Sequence, residues 1–185
     1  MVNELIKDAK ERMEKTLQAT QIELGKIRTG RANLSMLDSV KVNYYGSLVP
    51  LKQAANLGIP EPRLIIIQPW DRSMVGEIEK AILKADIGVT PNNDGTVIRL
   101  PIPSLTEERR KNLAKVAQQV GEDGKIAIRN IRRDVLDQLK KAQKDSEISE
   151  DEEYNGGIDT QELTDKFIEK IEESVKAKTR EILED

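Results

Sequence analysis

The chain has 185 residues, of which 34% are charged and 3% aromatic; it contains no Cys and no His, and its formal net charge is −3. Without imidazole or thiol there is no Ser–His or Cys–His nucleophile pair, no imidazole proton shuttle, no His or thiolate metal site and no disulfide framework. No apolar run approaches the ~18 residues of a membrane span, and Met1-Val2-Asn3-Glu4-Leu5-Ile6-Lys7 alternates charge where a signal peptide is apolar, so a cytoplasmic protein with no membrane attachment is expected.

Residues 1–30 predict a helix. Val2, Ile6, Ala9, Met13, Leu17, Leu24 and Ile27 recur at spacings that place them on one face. Thr16 and Thr20 interrupt that stripe, and Thr29-Gly30 is the expected end. Residues 31–104 have a different texture and hold all seven prolines. Ser39 to Tyr44 alternates like a half-buried strand, Tyr45-Gly46-Ser47 reads as a turn, and Leu48-Val49-Pro50-Leu51 as a second strand. Arg63-Leu64-Ile65-Ile66-Ile67-Gln68 predicts a strand covered on both faces. Asp71 to Ala85 is helical in period, with Asp71 or Ser73 as N-cap and Gly88 as the stop. Asn92-Asn93-Asp94-Gly95 is a turn into a last strand, Thr96 to Leu100. Trp70 is expected to cover this domain's core. The result is a small α/β module of four to six strands and about one helix, spliced into a helical protein.

Pro101-Ile102-Pro103-Ser104 is a stiff connector, since each proline fixes its own φ and restricts the residue before it. A helix of about forty residues follows, far above the usual ~11–12. Ser104-x-x-Glu107 fits a capping box, with Thr106 as rival N-cap. Leu113, Ala117, Val120, Ala127, Ile131, Val135 and Ala142 form its apolar stripe. Ser149-x-x-Glu152 is a second capping box, opening a third helix with Leu163, Phe167, Ile171, Val175 and Ile182 inward. Asn155-Gly156-Gly157 near its start predicts fraying or a kink, at roughly 1 kcal/mol per Gly relative to Ala. The expected architecture is α+β: a long three-helix bundle of residues 1–30 plus 105–185, with an inserted β/α/β domain at 31–104.

Charge is unevenly spread. Residues 1–30 and 31–104 each carry +1, residues 105–145 carry +4 and residues 146–185 carry −9. In the basic segment Lys111, Lys115, Lys125, Arg129, Arg133, Lys140 and Lys144 fall on one side of the helix, opposite its apolar stripe, with Arg132 at the edge. Phosphate backbones select such rows, because each contact releases counterions and arginine adds bidentate geometry. A solvated face with i,i+4 partners such as Glu122, Asp134 and Asp137 is the alternative. Arg28-Thr29-Gly30-Arg31 either places guanidiniums at the bundle's end or is a Gly-stopped helix with bases favourably near its C-terminus. Glu150-Asp151-Glu152-Glu153 suits a helix N-terminus better than a metal. Gly121-x-x-Gly124-Lys125 lacks the spacing of a phosphate loop.

Arg28-Thr29-Gly30-Arg31-Ala32, Val42-Asn43-Tyr44-Tyr45-Gly46, Leu105-Thr106-Glu107-Glu108-Arg109-Arg110-Lys111 and Arg129-Asn130-Ile131-Arg132-Arg133-Asp134 together resemble the motifs of the bacterial ribosome recycling factor family, in its order and over essentially the whole chain. The resemblance implies an L-shaped molecule, similar in outline to transfer RNA, with a hinge at Thr29, Gly30, Arg31 and Ala32 on one crossing and Pro101, Pro103 and Ser104 on the other. It implies a monomeric non-enzyme without cofactor or metal. Such a protein binds the post-termination ribosome and, with elongation factor G and GTP, splits the subunits. Arg132 is then the leading contact to large-subunit ribosomal RNA, joined by Arg129, Arg133, Arg28, Arg31 and Arg110. The chain departs from the family at Tyr154-Asn155-Gly156-Gly157, where charged helix formers are usual. A helical protein-interaction or chaperone-cofactor module, with the acidic third helix as its surface, is the rival reading.

Overall fold

In the computed structural model, which describes residues 1–184, the element order is α1 (Val2–Gly25), β1 (Lys41–Tyr44), β2 (Ser47–Pro50), α2 (Leu51–Ala54), β3 (Ala55–Glu61), β4 (Leu64–Pro69), α3 (Val75–Ala85), β5 (Asn92–Asn93), β6 (Ile98–Pro101), α4 (Glu107–Lys144) and α5 (Glu150–Leu183). The chain divides into two units, residues 1–28 with 107–184, and residues 29–106.

The first unit is a bundle in which α1, α4 and α5 each pack on the other two. Val2 lies against Gly156 and Thr20 against Gly124, so α1 runs parallel to α5 and antiparallel to α4. Its interior is aliphatic, with Met13, Leu17, Ile128, Leu139 and Ile171 buried around Phe167, its one buried aromatic. Each such side chain contributes roughly 1.5–3 kcal/mol by leaving water. Three threonines share the interior, and each satisfies its hydroxyl one turn back: Thr20 Oγ1 donates to Thr16 O at 2.9 Å, Thr160 Oγ1 to Gly156 O at 2.7 Å and Thr164 Oγ1 to Thr160 O at 2.8 Å. The interruption expected at Thr20 is therefore a packed position.

The second capping box is complete. Ser149 Oγ accepts from Glu152 N at 3.1 Å, and Glu152 Oε2 accepts from Ser149 N at 2.7 Å. The first box does not form across Ser104 and Glu107: α4 opens at Glu107, which passes the N-cap position to Thr106. The fraying expected at Asn155-Gly156-Gly157 does not occur, since α5 runs unbroken from Glu150 to Leu183. The reason is packing. A Cβ on Gly156 would stand 3.1 Å from Val2 Cγ1 and 3.2 Å from both Leu139 Cδ atoms, so this glycine permits a close helix approach that offsets its poor propensity. Gly157 has no such role, because a Cβ there would meet only Leu136 Cδ2, at 3.7 Å. Gly157→Ala is expected to stabilise the bundle by about 0.5–1 kcal/mol in denaturant unfolding.

In the second unit β1 and β2 form an antiparallel hairpin, and a separate antiparallel sheet runs β3-β4-β6-β5. α3 buries Val75, Ile78 and Ile82 in the cluster that contains Ile65, Ile67, Ile98 and Leu100. The central strand β4 is not covered on both faces as its composition predicts. Ile65 and Ile67 are buried while Leu64 and Ile66 are half-buried and Gln68 exposed, because α3 and its neighbours occupy one face only. Trp70 does not cover this core either, being 64% exposed. Asp71 caps the turn that leads into α3, accepting from Ser73 N at 3.0 Å, and also accepts from the Tyr45 hydroxyl. The α3 stop falls on Asp86, whose φ of 47° is left-handed, two residues before Gly88.

Asp94 organises the turn before β6. It accepts from Thr96 N and Val97 N, both at 2.9 Å, and from Arg99 Nη1 at 2.5 Å. These donors favour the charged form and hold its carboxyl far below the ordinary 3.8. The sign follows directly: a depressed folded pKa gives stability that is complete above the unfolded value and lost as pH falls through the folded one. Wild-type stability should therefore decline below about pH 4, and Asp94→Asn should flatten that decline in urea titrations at successive pH values.

Candidate nucleic-acid interface

Nine positions of α4 are buried: Leu113, Ala117, Gly121, Gly124, Ile128, Ile131, Val135, Leu139 and Ala142. This arc is turned from the predicted stripe, leaving Val120 and Ala127 half-buried and taking in two glycines. The turn decides which bases are free. Lys111, Lys115, Arg129, Arg133, Lys140 and Lys144 remain exposed, whereas Lys125 moves into the α4–α5 seam. There its Nζ lies 3.0 Å from Glu172 and 3.4 Å from Glu122. The hydrogen bond to Glu172 raises its pKa, more than burial lowers it. Lys125 is thus a structural tie and leaves the predicted row.

The carboxylates that could neutralise the row are mostly directed elsewhere. Asp134 receives Arg12 of α1 at 2.6 Å and Gln138 Nε2 at 3.1 Å. Lys111 pairs with Glu107 at 3.3 Å. Among the described residues, Lys115, Arg129, Arg133, Lys140 and Lys144 make no ion pair. Asp137, one turn beyond Arg133, is likewise exposed, but no ion pair forms between them, so among the described residues Arg129 and Arg133 carry no carboxylate partner.

Arg132 differs from its neighbours. Half-buried at the edge of the packed arc, it donates from Nη1 to Gln161 Oε1 of α5 at 3.2 Å. Its Nε–H is buried without a hydrogen-bond partner among the described residues. The guanidinium is thereby tied to α5 at the seam, its Nε side turned into the bundle. Arg129, Arg132 and Arg133 occupy one turn of α4. Arg110 is half-buried in that helix's first turn, and Arg28 is exposed three residues beyond the end of α1. Arg31 belongs to the smaller unit, where it is exposed.

The two crossings meet within that unit. Gly30, at φ +79°, is not the stop of α1, which ends at Gly25; a Cβ on it would lie 3.3 Å from Leu105 Cγ. Ala32 N donates to Pro62 O and Ile102 N to Arg63 O, both at 2.7 Å, so both crossings are tied to the β3–β4 turn. Pro101, Pro103 and Ser104 are exposed, and Thr29 and Ala32 half-buried. Among the described residues no group of three or more carboxylates is placed to hold a metal ion, and no helix is long and apolar enough to cross a membrane.

A long three-helix bundle with an exposed arginine turn on α4, joined in sequence to a small sheet unit, defines the class of α+β protein to which the chain belongs. The model of the ribosome recycling factor family matches residues 20–183. The chain is 52% identical over 181 residues to the ribosome-recycling factor of Natranaerobius thermophilus, covering 98% of each chain, and 52% identical over 184 residues to that of Desulforapulum autotrophicum, covering 100% of each. Among solved structures it is similar to a solution structure of the ribosome recycling factor, with TM-score 0.75, 36% identity and coverage of 100% of this chain and 98% of that one. It also matches, with TM-score 0.63, 43% identity and 99% coverage of each chain, a structure described as models for the T. thermophilus ribosome recycling factor and the E. coli elongation factor G bound to the E. coli post-termination complex. The chain belongs to the ribosome recycling factor family.

Proposed function

We propose that the chain binds the post-termination ribosome through the α4 face of its bundle and, with elongation factor G and GTP, splits the subunits and frees the message. The observation that carries the RNA contact is the turn Arg129-Asn130-Ile131-Arg132-Arg133, where two exposed guanidiniums have no carboxylate partner and a third is pinned by Gln161. Large-subunit ribosomal RNA is the polyanion this row would meet, with Arg28, Arg31 and Arg110 adding contacts from the ends of the helices and the crossing. Gly30 and the prolines of the second crossing serve as the hinge on which the small unit moves. The protein performs no chemistry of its own. It acts in the cytoplasm as a monomer, transmitting force along α4 and α5 while GTP hydrolysis stays with the partner. Family membership supports the ribosome as target, and the relative solved with elongation factor G supports that partner.

The test is salt dependence. Association with ribosomes should weaken linearly in log–log form, with a slope of about 0.7–0.9 per phosphate contact. A protein-interaction module would bind with little loss in moderate salt, and a flat titration would reject the RNA-facing role.

A further inference from the structure

Where residues 145–149 join α4 to α5, the seam between the two helices opens into a groove of about 920 Å³. Over a buried Leu139, three of its apolar residues are left in water: Tyr154 is 70% exposed, Ile158 41% and Leu136 36%. Gly157 forms part of the floor, where any side chain would enter the groove. The rim is acidic, with Glu150, Asp151 and Glu153 from the first turn of α5 and Asp137 from α4, against Lys140 alone. None of these five makes a side-chain ion pair among the described residues. Large apolar side chains gathered in a concavity under uncompensated charge mark a binding surface rather than ordinary exposure.

The charge selects the occupant. Nucleic acid would be repelled, and a second copy of this chain would bring the same four carboxylates against themselves. We propose that this groove docks a short basic segment of a partner protein, one apolar side chain of which enters between Tyr154 and Ile158 while its lysines or arginines meet Asp137, Glu150, Asp151 and Glu153. The α5 stretch involved, Glu150 to Gln161, rises roughly 17 Å, the reach of about five extended residues. The bundle thus carries two chemically opposite surfaces on α4: a row for phosphate, and beside the α4–α5 junction a slot for a cationic peptide.

The full-length chain, labelled with ¹⁵N, should be titrated with a short peptide containing one leucine flanked by lysines and arginines. Saturable shifts are expected at the amides of Tyr154, Gly157 and Ile158. Tyr154→Ala and the pair Asp151→Lys, Glu153→Lys should each weaken binding about tenfold. Gly157→Gln should do the same by filling the floor while unfolding stays cooperative. The proposal is overturned if a glutamate-flanked peptide moves the same amides equally. It is also overturned if Tyr154→Ala binds like wild type, with shifts spread along Asp165 and Glu169, if an RNA oligonucleotide moves these amides instead, or if concentrating the protein alone does so. No ribosome enters this experiment, so its outcome is separable from the proposed function.

Discussion

Gly121→Ala and Gly124→Ala are expected to destabilise the bundle by about 1–3 kcal/mol each, against a helix-propensity gain of about 1 kcal/mol. A Cβ on Gly121 would stand 2.4 Å from Val175 Cγ2, and one on Gly124 would stand 2.5 Å from Thr20 Oγ1 and 3.2 Å from its Cγ2. Neither obstacle is the loose end of a long side chain. Val175 is β-branched and buried, and its γ-methyls have few rotamers to retreat into. Thr20 is held by its bond to Thr16 O. The two glycines thus set the approach of α4 to α5 and to α1 respectively. Chemical denaturation of the single variants and the double variant should show both midpoints falling. Either variant matching or exceeding wild type would mean that the helices can separate freely and that the glycines do not set their spacing.

Replacing Arg129, Arg132 and Arg133 together by alanine should lower ribosome affinity roughly 10²–10³-fold near 0.1 M salt and cut the salt slope by about two to three units, on the order of one unit per guanidinium removed. Arg129 and Arg133 are exposed and make no side-chain bond among the described residues, so their single variants should keep wild-type unfolding within about 0.5 kcal/mol. Arg132→Ala differs, because it also removes the tie to Gln161 and the buried Nε–H. Binding and unfolding measured on the same preparations separate a weakened hold on RNA from a loosened seam.

The division into long helices and a small sheet was legible because apolar period and proline placement are local signals. Met13, Leu17, Phe167 and Ile171 could be assigned to the interior from spacing alone. What spacing could not show was the role of residues without a hydrophobic side chain. Gly121, Gly124 and Gly156 read as breakers or as an imperfect phosphate loop, yet they are the points where helices touch, because close approach depends on the facing helix. Thr160 and Thr164 read as polar and are fully buried, their hydroxyls satisfied within their own helix. For the candidate face, the helical wheel placed Lys125 with the free bases. It could not reveal Glu172 on another helix, nor that Arg12 takes Asp134 away from the arginine row. Signals for those pairings lie far apart in sequence. Trp70 followed the usual expectation for a large apolar residue and is left in solvent at the β4–α3 junction, where Pro69 is buried in its place.

The proposed function is tested most directly by sedimentation of post-termination ribosomes mixed with this protein, elongation factor G and GTP. Intact ribosomes should give way to separated subunits, with little conversion when the protein or GTP is omitted and with the Arg129, Arg132 and Arg133 triple variant left near that background. Ribosomes that stay whole in the complete mixture, or that separate equally well with the triple variant, would contradict a splitting factor that works through the α4 face.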